Sequence, residues 1–297
     1  MTPIQQYLVE EVGEDFVDGL ITRREALRRL VLLGLGAAAS TSFLAACAER
    51  AARSPSPTPP AATDTPSPAS TEAVATEAIE FAGPEGRKLQ GAYAAASDQK
   101  GGVLVIHENR GLTDHIRSVA GRFAGSGYSA LAIDLLSEEG GTAALPDDAA
   151  RAAALGRTPE ERFVADMKAG IDELARRLSG AKLGSVGFCF GGGMVWQLVD
   201  AEPRLAAAAP FYGPFPSGAD FSGTKAAVLA IYGESDSRVN ASQPDAKAAL
   251  EAAKLDHEIL TLPGDHAFFN DTGPRYNAAS AQQAYTKVLD WFERYLA

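Results

Sequence analysis

The sequence predicts an α/β fold, a mostly parallel sheet with helices on both faces. Three observations predict it. Short, continuous apolar runs such as "GGVLVIHEN", "SALAIDLL" and "LGSVGF" read as strands buried on both faces. Between them apolar residues recur at helical spacing, as in Ile116, Val119, Ala120 and Phe123. Strand and helix alternate from about residue 77 to the end of the chain, the order that builds parallel sheets through crossover helices.

Each element has its own justification. "AIEF" and "KLQGAYAAA" flank the turn "GPEGR" and read as an opening hairpin. "GGVLVIHEN" and "SALAIDLL" are the next strands, with the Ile116–Phe123 helix between them. Thr158, Pro159 and Glu161 supply an N-cap, a first-turn proline and a capping-box glutamate. The helix they open carries Phe163, Met167, Ile171, Leu174 and Leu178 on one face. "LGSVGF" is a strand and "GGGMVWQLV" a helix, and "LAAAAPFYG", "AAVLAIYGES" and "DHEILTLP" are three more strands. A last helix aligns Tyr285, Val288, Leu289, Phe292 and Leu296. The stretch "LSEEGGTAALPDD", 136–148, reads as a loop able to cover a cleft.

The chain before residue 78 divides in two. Residues 1–47 read as an export signal: Arg23 and Arg24 precede a modest apolar run from Leu30 to Leu44, too short and too interrupted for a membrane-spanning helix. The arginine pair resembles a twin-arginine signal, and Leu44-Ala45-Ala46-Cys47 resembles a lipobox, with Cys47 as the lipidated residue. Acidic residues at 10, 11, 14, 15 and 18 depart from the usual basic start of such signals. Residues 48–77 are dominated by Pro, Ser, Thr and Ala, a composition that cannot offset the entropy of ordering and serves as a spacer. The expected location is outside the cytoplasm, tethered to the outer face of the cytoplasmic membrane by lipid alone.

Composition narrows the function. A net charge of −11 disfavours nucleic acid as a partner. Two cysteines allow at most one disulfide. Histidines at 107, 115, 257 and 266 fall in no metal-binding spacing, so neither metal nor cofactor is expected. In a parallel α/β sheet the chemistry sits at the C-terminal strand ends, where Glu108, Asp134, Cys189, Tyr212, Asp236 and His266 fall.

Gly187-Phe188-Cys189-Phe190-Gly191 fits a nucleophile elbow with cysteine in the serine position. The glycines make room at a strained strand-to-helix turn, and the helix N-terminus favours a thiolate. The bland alternative is a buried structural cysteine. Asp236 and His266 follow in nucleophile–acid–histidine order, each just past a strand. Asp236 could instead cap the helix near residue 242, His266 could be a surface histidine, and Asp265 is a rival acid. The backbone N–H groups of Asn109 and Phe190 are candidates for an oxyanion hole.

Together "HENRGL", "GFCFGGG", "GESD" and "GDHAFFND" resemble the dienelactone hydrolase family of α/β-hydrolases, over residues 78–297. The resemblance implies an eight-stranded, mostly parallel sheet and a triad of Cys189, Asp236 and His266. It also implies that Glu108 contacts a neutral resting thiol until substrate rotates it away. The family's namesake enzymes hold a substrate carboxylate with arginines, one shortly after the histidine; here residues 267–271 are Ala, Phe, Phe, Asn and Asp, and Arg275 is the first arginine. Arg110 is the candidate substitute, or else a surface ion-pair residue, and Tyr212 is a second substrate-contact candidate. The expected reaction is hydrolysis of a small ester or lactone through a thioester, as in carboxymethylenebutenolidase. A general carboxylesterase or thioesterase, or a membrane-tethered binding protein on the same fold, are the alternatives. The sequence leaves the oligomeric state open.

Overall fold

The structure, a computed structural model, describes residues 1–53 and 73–297. Among the described residues one sheet runs β1 (Glu77–Ala82), β2 (Lys88–Ala94), β3 (Gly101–Ile106), β4 (Tyr128–Asp134), β5 (Leu183–Phe188), β6 (Leu205–Phe211), β7 (Ala227–Gly233) and β8 (His257–Leu262). Its spatial order is β1-β2-β4-β3-β5-β6-β7-β8. β1 and β2 form the expected hairpin, β2 meets β4 antiparallel, and the pairs from β4 onward are parallel. Every residue of β3, β4 and β5 is buried, as their unbroken apolar runs require.

After β3 the chain crosses to β4 on one side and returns to β5 on the other, so strand order reverses between β3 and β5. Such a reversal opens a crevice at the strand C-termini. Ile106 pairs with Gly187 across it, so Glu108 and Cys189 leave their strands at the same level.

The helices, in chain order, are α1 (Pro3–Val17), α2 (Arg23–Leu32), α3 (Ala37–Arg53), α4 (Asp114–Gly125), α5 (Asp148–Arg157), α6 (Glu160–Arg177), α7 (Phe190–Ala201), α8 (Ser237–Asn240), α9 (Gln243–Ala253) and α10 (Ala278–Leu296). α4 and α10 share one face of the sheet, where Phe123 packs on Tyr285 and Phe292. α6 and α7 pack together against β3 and β5.

Two sequence expectations change. Thr158 is not the N-cap of α6: it ends α5 and donates its hydroxyl to the Ala154 carbonyl, and Pro159 takes the cap position without a side-chain bond. Residues 136–148 are not a loose cover. Two short 3₁₀ turns there are pinned by Asp134, whose carboxylate accepts from the Leu136 and Thr142 N–H groups and the Thr142 hydroxyl. At the start of the chain α1, α2 and α3 pack on one another, and α1 and α2 also pack on α5, burying Ile4, Tyr7, Leu8, Val9 and Val12 of α1. The first residues thus form part of the packed structure. Cys47 lies half-buried in α3 as a free thiol. Among the described residues no helix is long and apolar enough to cross a membrane. Most of the spacer, 54–72, lies outside the described residues.

Candidate active site

The site begins with backbone strain. Cys189, between β5 and α7, has φ 58° and ψ −120°, a conformation that side chains other than glycine rarely adopt. Glycine is required on both sides. A Cβ on Gly187 would lie 2.2 Å from the Gly191 carbonyl oxygen, and one on Gly191 would lie 2.4 and 2.5 Å from the carbonyl oxygens of Ile106 and His107. The glycines let α7 start against the end of β3. The turn holds the Cys189 sulfur over the crevice, yet the residue is only 2% exposed.

The sequence candidates Asp236 and His266 converge on it. Asp236 divides its carboxylate between two tasks. Oδ2 accepts from His266 Nδ1 at 2.7 Å, while Oδ1 accepts from the Val239 N–H at 3.1 Å and caps α8. One side chain thus bonds the His266 ring and caps α8, while the helix near residue 242 has Ser242, not Asp236, at its N-cap. Asp265 bonds the His266 backbone N–H and not the ring. A ring nitrogen of His266, the Cys189 sulfur and a carboxylate oxygen of Glu11 all lie within 4.8 Å of one another.

Electrostatics follow from burial and neighbours. Burial pushes the Cys189 thiol up, and Glu11 adds to the shift while His266 opposes it. For His266 burial disfavours the charged ring, but Asp236 and Cys189 outweigh it and hold the imidazole well above its ordinary value. Burial likewise opposes charge on Asp236, yet His266 and Arg238 keep its carboxyl below the usual range.

Glu108 is not the thiol's partner in this state. It is buried beside the site, where Oε2 accepts from Asn270 Nδ2 at 2.8 Å and burial raises its pKa. The thiol's place is taken by Glu11 of α1, whose two carboxylate oxygens each stand 3.4 Å from Sγ. Tyr7, one turn earlier, donates to Sγ at 3.3 Å and stands 3.5 Å from His266 Nε2. Asn109 lines the cavity, and its side-chain Nδ2 donates to Glu11 Oε1 at 2.7 Å. Phe190 is the first residue of α7 and stacks on His107. His107 steadies this loop: Nε2 accepts from the Leu135 N–H, so Nδ1 carries the proton donated to the Glu108 carbonyl.

Arg110 reaches the cavity wall but stands 3.5 Å from Asp148, so the ion-pair alternative is realised. Tyr212 is no surface of the cavity. It is fully buried at φ 33° with its ring edge-on to His266 at 5.2 Å, a packing partner beneath the imidazole. Cys47 and Cys189 are both free.

Sequence reasoning missed Glu11 and Tyr7, and also Arg238 and Arg275, which pair with α1. The missing signal was available. Thr2 and Gln5 form a reciprocal capping box, and Ile4, Leu8 and Val12 repeat every four residues.

A strained elbow at a strand-order reversal, with acid and histidine on later strand ends, defines an α/β-hydrolase fold. Residues 90–296 match the family model described as "Dienelactone hydrolase family", and the chain belongs to that family. It is 32% identical over 227 residues to the "Putative carboxymethylenebutenolidase" of Escherichia coli (strain K12), covering 69% of this chain and 82% of that protein. The crystal structure of the "Putative Dienelactone Hydrolase" of Klebsiella pneumoniae subsp. pneumoniae is similar with a TM-score of 0.66 at 28% identity, covering 74% of this chain and all of that one. The dienelactone hydrolase of Anabaena variabilis shares the fold, with a TM-score of 0.59 at 24% identity over 75% of this chain and 98% of that one. The matched segment begins after α1–α3.

Proposed function

We propose that this chain hydrolyses a small ester or lactone, of the carboxymethylenebutenolidase type, with Cys189 as nucleophile. The observation that carries the reading is the His266–Asp236 bond at 2.7 Å with the imidazole's other nitrogen turned to the elbow thiol. His266 takes the thiol proton as sulfur attacks the acyl carbon, and Asp236 stabilises the imidazolium that forms. The tetrahedral oxyanion is held by the N–H groups of Phe190, at the start of α7, and Asn109. Collapse expels the alkoxide, which takes the proton from His266, and leaves a thioester. Water, deprotonated by His266, then attacks the thioester; the acid leaves and the thiol is restored.

A thiol nucleophile favours activated esters with good leaving groups, such as enol lactones. A screen of p-nitrophenyl esters beside dienelactones tests the reading. Turnover of at least one class, lost in Cys189→Ala, is expected. Full turnover in Cys189→Ala would remove it.

The arginine pair, the apolar run, the "LAAC" sequence and the proline-rich spacer support a second part of the proposal: the protein is exported and lipidated on Cys47. Intact mass of the membrane fraction tests this. A mature chain beginning at a lipidated Cys47 is expected, and one retaining residues 1–46 would contradict it.

A further inference from the structure

We propose that α1 is an inhibitor built into the chain, a helix that closes the site until it is displaced. The inference rests on Cys189 being the nucleophile and adds a control to it. The acyl carbon of an ester must come within about 3 to 3.5 Å of the sulfur to react. The Glu11 carboxylate already fills that space, with both oxygens 3.4 Å from Sγ and one held by Asn109. A carboxylate is also the product of ester hydrolysis, so Glu11 sits as an acid product would. Tyr7 meanwhile bonds the sulfur and reaches His266 Nε2, the nitrogen that must accept the thiol proton.

The space left between α1 and the site is about 60 Å³. That volume holds a few waters and falls well below the roughly 300 Å³ at which ligand pockets begin. Leu8, Glu11, Val12 and Asp15 form its roof, with Cys189, His266 and Asn270 below.

α1 is held from both flanks by basic residues of the hydrolase domain. Arg275 pairs with Asp15 at 3.1 Å and Asp18 at 2.5 Å. Arg238, two residues after the triad acid, pairs with Glu14 at 2.8 Å and lies 4.6 Å over the Tyr7 ring. Four of the five acidic residues that set this leader apart from a basic signal start, Glu11, Glu14, Asp15 and Asp18, are thus the ones that dock it. α1 lies outside the segment shared with the family, so the closure belongs to this chain's own leader. On the export reading, a cut before Cys47 removes α1 and opens the site after transport.

The test uses the full chain. Iodoacetamide alkylation of Cys189 is followed by peptide mass spectrometry, which separates it from Cys47, beside p-nitrophenyl acetate hydrolysis. Two variants loosen α1 without touching the triad: Asp15→Ala with Asp18→Ala, and Leu8→Asp with Val12→Asp. A helix docked about 90 to 99% of the time lowers apparent reactivity about 10- to 100-fold, so both variants should raise alkylation and kcat/KM by that factor. Should the apolar pair fail to fold, the ionic pair decides alone. Wild-type Cys189 alkylating as fast as in the folded variants overturns the proposal. Faster alkylation in the variants with no ester turnover in any chain leaves the closure standing and removes the hydrolase reading instead.

Discussion

Replacing Asp236 with Asn separates the two tasks its carboxylate performs. The Val239 N–H and His266 Nδ1–H both donate to it, at 3.1 and 2.7 Å. An amide offers one acceptor and one donor, so it can serve only one of them. Turning its oxygen away from Val239 would leave a buried N–H unpaired, at a cost of about 1 to 3 kcal/mol. The imidazole can instead shift its proton from Nδ1 to Nε2 and accept from the amide. The oxygen therefore stays on Val239, and the histidine adopts the tautomer that cannot take the thiol proton. That preference alone lowers the productive population roughly 5- to 150-fold. Loss of a charge-assisted bond to the imidazolium, worth about 1.5 to 3 kcal/mol, removes roughly another 10- to 150-fold. We expect kcat/KM for p-nitrophenyl acetate to fall roughly 10² to 10⁴-fold with the fold retained by circular dichroism. The pKa of His266 should also fall, because the carboxylate that raises it is gone, so the acid limb of the pH–rate profile should move to lower pH. A folded Asp236→Asn chain within about threefold of wild type, with an unmoved acid limb, would refute the reasoning.

Gly191→Ala should lower stability by at least about 2 kcal/mol in urea unfolding, because its Cβ meets two backbone carbonyls that cannot move without parting α7 from β3. Asp134→Ala should cost about 2 to 4 kcal/mol in the same assay, since it strips the acceptor from the Leu136 N–H and from the Thr142 N–H and hydroxyl. Glu108→Gln keeps the Asn270 bond and removes a negative charge that raises the Cys189 pKa, so the pH dependence of alkylation should move to lower pH. No shift, or an upward one, would contradict the placement of Glu108 beside the thiol.

The sheet was legible because its inner strands β3, β4, β5 and β7 are buried on both faces and read as unbroken apolar runs bounded by polar strand ends. The convergence of Cys189, Asp236 and His266 was legible for a related reason. A parallel sheet delivers strand C-termini to one edge, so residues far apart in sequence can be placed without knowing any side-chain contact. α5 was not legible: "DAARAAALGR" is half alanine, with little contrast between its faces, and follows glycine-rich turns. Thr158 illustrates a different limit. Its position suited an N-cap, but the end of the unrecognised α5 claimed its hydroxyl first. The docking of α1 was hidden because its buried stripe contains acids. Glu11 and Asp15 look like a solvated face, and the partners that show otherwise lie mostly far along the chain, Asn109 and Cys189 beside Glu11 and Arg275 beside Asp15.

The most direct measurement of the central claim is the covalent intermediate itself. Full-length protein is mixed with p-nitrophenyl acetate, quenched in acid during turnover and mapped by peptide mass spectrometry. The account predicts an acetyl group on Cys189, removed by neutral hydroxylamine as a thioester is, and accumulating in His266→Ala if residual acylation outlasts the loss of the base that activates water. An acyl group on another residue, or turnover that persists in Cys189→Ala, would contradict it.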